Sequence, residues 1–124
     1  MRTQNRQFAQ TLADNLMDVG VVEYEPQTVK GWKAGAAETI EERGVDAAIE
    51  EYHRLPAGAS EGRKTALGVA IAVELYTEGR TADLTEFGRT LTENIGNAAQ
   101  ELRAAALMSR LSPAFAGMYG DKVV

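Results

Sequence analysis

The sequence predicts an all-α fold: a compact single-domain bundle of about six or seven helices around one central apolar helix, Thr65 to Tyr76. The first reason is that run itself, interrupted only by Thr65, Gly68 and Glu74, because a helix with no polar face must be covered all round. At twelve residues behind Arg63 and Lys64 it is too short and too closely flanked by charge to span a bilayer. The second reason is that the segments on either side repeat apolar residues every three or four positions, as helices with one buried face do. A buried strand competes for a Val/Ile run, but the alanines, the length and the helical neighbours favour helix.

In chain order, Phe8, Leu12, Leu16 and Val19 form an amphipathic stripe over Thr3 to Val19, with Ala9 and Ala13 on its flanks. Gly20 offers an end. Val21 to Thr28 then reads as an extended connection, because Pro26 disfavours helix at Glu25. Val21, Val22 and Tyr24 fit either a short strand or, preferred here for want of a partner strand, a loop pinned by its apolar residues. Thr28 is a good N-cap for a second helix with Val29, Trp32, Ala36 and Ile40 on one stripe, and Gly44 followed by Val45 suits its C-terminus. Gly31 and Gly35 on that helix would let another helix approach closely. Asp46 can cap a third helix with Val45, Ile49 and Tyr52 inward, ending at Leu55 and Pro56.

Ser60 caps the central helix, which stops near Gly79. Asp83 and Glu86 have the spacing of a reciprocal cap for a helix carrying Leu84, Phe87, Leu91 and Ile95. Gly96 and Asn97 either end that helix or weaken one long helix reaching Leu111. Ser112 and Pro113 start a last short helix with Phe115, Met118 and Tyr119. The domain is expected over 1–120, with 121–124 a loose tail.

A chain of 124 residues without cysteine has a core that needs no disulfide staple, and it offers no thiolate for metal or catalysis. With no apolar segment behind its Arg-containing start and no membrane span, it is expected to be soluble and cytoplasmic. A net charge of −5 argues against a free-standing nucleic-acid binder. Yet eleven of the thirteen Glu residues precede Glu93, which leaves the C-terminal third locally less acidic.

No catalytic signature stands out, and neither an enzyme, a metal site nor a cofactor is expected. Glu50 and His53 have the Glu-x-x-His spacing of di-iron bundles, but those need a second copy, and His53 is the only histidine. Glu41, Glu42, Glu50 and Glu51 read as solvated helix faces. Ser60, Ser109 and Ser112 lack a nucleophile-elbow setting, and Gly58, Gly62 and Gly68 lack the Gly-Lys-Ser/Thr ending of a phosphate loop.

The pattern with chemical content is Arg89, Arg103 and Arg110, which on one continuous helix would line one side over roughly 30 Å. Arg89 has Glu86 and Glu93 within helical reach, whereas Arg103 and Arg110 have no acid three or four positions away. Lys30, Lys33, Arg63 and Lys64, with Arg2 and Arg6, are further cations at helix beginnings. Backbone contact with nucleic acid asks for such charges held in register.

The outline resembles the small all-helical subunit of type III-B CRISPR effector complexes and, more widely, the small helical subunits of other multi-subunit CRISPR complexes. Met1-Arg-Thr-Gln-Asn-Arg6-Gln-Phe8-Ala9 looks like that family's first helix. Trp32-Lys33 leading to Ile40, Gly44-Val45 and Ala47-Ala48-Ile49 looks like its aromatic/basic, helix, Gly-aliphatic, helix passage. Family members tend to end in a Trp-aliphatic-basic-basic helix, where this chain has Met108-Ser109-Arg110-Leu111. The resemblance implies an antiviral-defence protein: a non-catalytic subunit that stacks beside copies of itself and other subunits and touches the guide RNA and target-strand backbone. The alternative from the residues is a protein-protein module, such as a phage or plasmid adaptor or inhibitor, using Phe115, Met118 and Tyr119.

Overall fold

The computed structural model of the chain describes residues 2–17, 26–55, 61–93 and 98–117. They form α1 (Arg2–Met17), α2 (Pro26–Arg43), α3 (Val45–Arg54), α4 (Glu61–Thr77), α5 (Thr81–Glu93), α6 (Ala98–Leu111) and a single turn, α7, at 113–117. The expectations for Val21 to Tyr24, Ser60, Gly96 and Asn97, Met118 and Tyr119, and the tail lie outside these residues.

The apolar run is the hub. Leu67, Val69, Ile71, Ala72, Val73 and Leu75 are all buried, and α4 packs against each of α1, α2, α3, α5 and α6. The remaining packed pairs are α2 with α3, α5 with α6, and α1 with α6. Tyr52 of α3 and Phe87 of α5 meet edge to face at 5.1 Å, so the order around α4 is α2, α3, α5, α6, α1. Lys33 of α2 reaches Asp14 of α1 at 3.0 Å, but those two helices do not pack against each other, and a seam stays open between them.

Two glycines make the close approaches. A methyl on Gly68 would lie 2.5 Å from Leu91 and 3.0 Å from Tyr52, and one on Gly88 would lie 2.6 Å from Met108. Gly31 and Gly35, expected to admit a neighbouring helix, are instead exposed with nothing within 4 Å. The apolar side of α2 turns the other way, through Ala36.

Helix ends follow backbone chemistry more than the side-chain caps read from the sequence. Helix α2 starts at Pro26, because a first-turn residue needs no N–H partner; Thr28 is exposed inside that turn instead of capping it. Gly44, at φ 90° and ψ 162°, ends α2 with its N–H on the Ile40 carbonyl and also stands in the N-cap position of α3, so Asp46 falls in the first turn and does not cap. Gly79, at φ 72°, ends α4 in a Schellman arrangement: its N–H meets the Tyr76 carbonyl, and the Arg80 N–H meets that of Leu75. That turn feeds straight into α5 at Thr81, so Asp83 binds the Arg80 side chain instead of forming a reciprocal cap with Glu86. Ser112 does cap α7, accepting the Phe115 N–H at 3.1 Å.

Among the described side chains of α1 the buried ones are Ala9 and Ala13, while Phe8 is 51% exposed and Leu12 half-buried. The small side chains, expected on the flanks, are the contact line; the larger ones lie beside it, with Phe8 6.2 Å from the Tyr76 ring. Phe115, expected as an exposed docking residue, is fully buried between α5 and α6.

Candidate nucleic-acid interface

Whether the arginines line up depends on how α5 meets α6. Gly88 lies against Met108, and Thr85 Oγ1 lies 2.6 Å from Ser112 Oγ, so the two helices run antiparallel and are not one rod. The stripe through Arg89, Arg103 and Arg110 is therefore broken. Arg103 and Arg110 remain in line, seven residues apart on α6, which is about 10 Å along the axis. At about 100° per residue they point roughly 140–160° away from Met108 and so away from α5; Arg110 is exposed, and Arg103 is half-buried. Arg89 is exposed on α5, which packs on the other side of α6.

The other cations are scattered over the ring. Lys30 is exposed on α2. Lys33, half-buried on the same helix, is engaged with Asp14. Lys64, at the start of α4, donates to the Leu55 carbonyl at 3.3 Å and sits 5.0 Å above the Tyr52 ring, so it closes the α3–α4 corner. Arg63 beside it is exposed. Among the described residues, Arg89, Arg103, Arg110 and Lys30 make no ion pair or side-chain hydrogen bond.

Two ion-pair centres that the sequence did not assemble organise the acidic side of the molecule. Glu74, the charge embedded in the apolar run, accepts both terminal nitrogens of Arg6 on α1, at 2.8 and 3.1 Å. Arg6 lies one turn before Ala9 and two before Ala13, on the face of α1 that meets α4. The fork fits a carboxylate that α4 carries into the interior, its side chain only 10% exposed. The hydrogen bond to Glu74 in turn raises the pKa of Arg6. Arg80 joins α3, α4 and α5 by contacting Asp46 at 2.8 Å, Asp83 at 2.9 Å and Glu78 at 3.8 Å. Its hydrogen bond holds the Asp46 carboxyl below the usual range, and its own pKa rises, first through Asp46 and then through Asp83.

His53 is exposed and its ring meets Tyr52 edge to face, while Glu50 pairs with Arg54 at 3.5 Å. Among the described residues no group of three or more His, Cys, Asp or Glu side chains is placed to hold a metal ion. No helix among the described residues is long and apolar enough to cross a membrane. Comparison with protein-family models, with curated proteins and with solved structures finds no match.

Proposed function

We propose that this chain is a non-catalytic helical subunit of an RNA-guided ribonucleoprotein of the CRISPR effector type, contacting the guide–target backbone through Arg103 and Arg110 of α6. The observation that carries the reading is that pair: two guanidinium groups on one side of one helix, two turns apart, with no acid among the described residues paired to either, in the least acidic third of the chain. Arg89 and Lys30 are accessory cations on other faces, while Lys33 and Lys64 serve the fold first. With a net charge of −5 the chain is a poor ligand for free RNA, and neighbouring subunits supply most of the positive field.

A tagged pull-down from the native host, with mass spectrometry of the proteins and sequencing of bound RNA, tests this. Repeat-derived guide RNA with other effector subunits is expected from the native chain. The Arg103→Glu/Arg110→Glu variant is expected to lose both at moderate salt while keeping its helical signal and melting temperature. Association that is unchanged by the double reversal and insensitive to salt refutes the reading. The second reading, an adaptor that binds one protein and no RNA, no longer rests on Phe115; Phe8 and Leu102, each 51% exposed, favour it instead.

A further inference from the structure

Each helix from α2 to α5 packs against the helix that follows it in the chain, and α1 does not. Among the described residues α1 packs only on α4 and α6. Its described link to α2 is the Lys33–Asp14 pair, whose side chains are 37% and 45% exposed, and pairs so open to water hold weakly. The line that α1 lays on the core is made of two small side chains, Ala9 and Ala13, while Phe8 stays half in solvent. What fixes its position is the fork of Arg6 on Glu74, a carboxylate carried into the interior. The Phe8 ring lies beside that of Tyr76 at 6.2 Å. Glu74, Tyr76 and both supporting helices belong to the chain from residue 61 on, so a second copy of the protein offers α1 an identical seat.

We propose that α1 is an exchangeable arm: two copies of the chain trade it, each α1 seating on α4 and α6 of the other, so that Arg6 of one copy forks Glu74 of its partner. Undocking takes the guanidinium off a carboxylate whose side chain is only 10% exposed, and losing a charged hydrogen-bond partner there is costly. A second α1 restores both the fork and the alanine line in register, which selects another copy over an unrelated helix. Closed and exchanged forms contain the same contacts of α1 and differ in the number of chains, so protein concentration selects between them. The inference does not depend on what Arg103 and Arg110 bind.

An equal mixture of isotope-labelled and unlabelled native chain, unfolded in urea and refolded at millimolar concentration, is separated by size-exclusion chromatography with light scattering. A dimer is expected that does not form on refolding at micromolar concentration. Isotope-filtered NMR of that dimer should show Phe8 ring protons against Tyr76 ring protons across the two copies. Charge reversal supplies a second readout. Arg6→Glu and Glu74→Arg each set like charges against one another within a chain, and mixing the two variants restores opposite charges at both seats only when α1 is exchanged. Refolding them together should give a one-to-one heterodimer, whereas the Arg6→Glu/Glu74→Arg double variant, whose fork is restored within one chain, should elute as the native chain does. Native protein that refolds only to monomer at millimolar concentration overturns the proposal, as does a dimer whose Phe8–Tyr76 contact stays within each copy. Absence of a heterodimer from the mixed variants also overturns it when the double variant folds; when that variant does not fold, the native-chain measurement decides alone.

Discussion

One chemical change, glycine to alanine, should have opposite signs at different positions of this molecule, and the structure says which. At Gly31 and Gly35, inside α2 and open to solvent, a new methyl meets nothing within 4 Å. Each substitution gains helix propensity worth about 0.8–1 kcal/mol. At Gly68 the same gain is offset by a methyl that would sit 2.5 Å from Leu91 and 3.0 Å from Tyr52, both fully buried. Overpacking of that kind costs about 1–3 kcal/mol, for a net loss of about 1 kcal/mol. Gly44 and Gly79 have space but hold φ at 90° and 72°, where a side chain costs about 1–2 kcal/mol. With an unfolding entropy of about 2.1 cal/mol/K per residue, 124 residues convert 1 kcal/mol into about 4 °C of melting temperature. Thermal and urea unfolding of dilute protein should therefore place Gly31→Ala and Gly35→Ala about 3–4 °C above the native chain. Gly68→Ala, Gly44→Ala and Gly79→Ala should all fall below it. A Gly68→Ala protein as stable as Gly31→Ala would show that α3, α4 and α5 do not meet as closely as described.

Other perturbations reach different parts of the same frame. Ile71 is fully buried in α4, so Ile71→Asp should cost on the order of 3 to 5 kcal/mol and lower the melting temperature by about 12–20 °C, read by circular dichroism. Burial pushes the Tyr52 hydroxyl up to about 12 from 10.0. The folded state thus holds that proton more tightly than the unfolded chain, and the contribution is whole below pH 10 and lost as pH climbs toward 12. Urea midpoints in that window should fall less steeply for Tyr52→Phe than for the native chain. The depressed Asp46 acts at the other end: its contribution is present above the ordinary carboxylate range and lost as pH falls through the folded value, so Asp46→Asn should flatten the acid limb of the same titration.

The central helix was legible because nothing but full burial suits Thr65 to Tyr76, and its end was legible because Gly79 is the residue a Schellman turn requires. On α1 periodicity ranks Phe8 and Leu12 above Ala9 and Ala13, whereas closeness to α4 buries the alanines fully and leaves Leu12 partly buried against the core and Phe8 exposed. Phe115 looked exposed because a short segment near the chain end carries no periodic signal; its burial depends on the space left by Gly88, which only the antiparallel contact reveals. The basic stripe failed at the same point, since helical spacing describes side chains along one axis and says nothing about where the axis turns back. Glu74, a charge inside an apolar run, calls for a cation, but which one answers is fixed by a contact between residues 68 positions apart.

Because every other long helix rests on α4, the order in which the ribosome delivers the chain matters. Helices α2 and α3 can pack on each other as they emerge, but α1 has no helix to pack on until residues 61–77 have followed. At about 5–20 residues per second, Leu55 waits about 1–4 seconds for the end of α4. Throughout that interval α1 is without the two helices it packs against, α4 and α6.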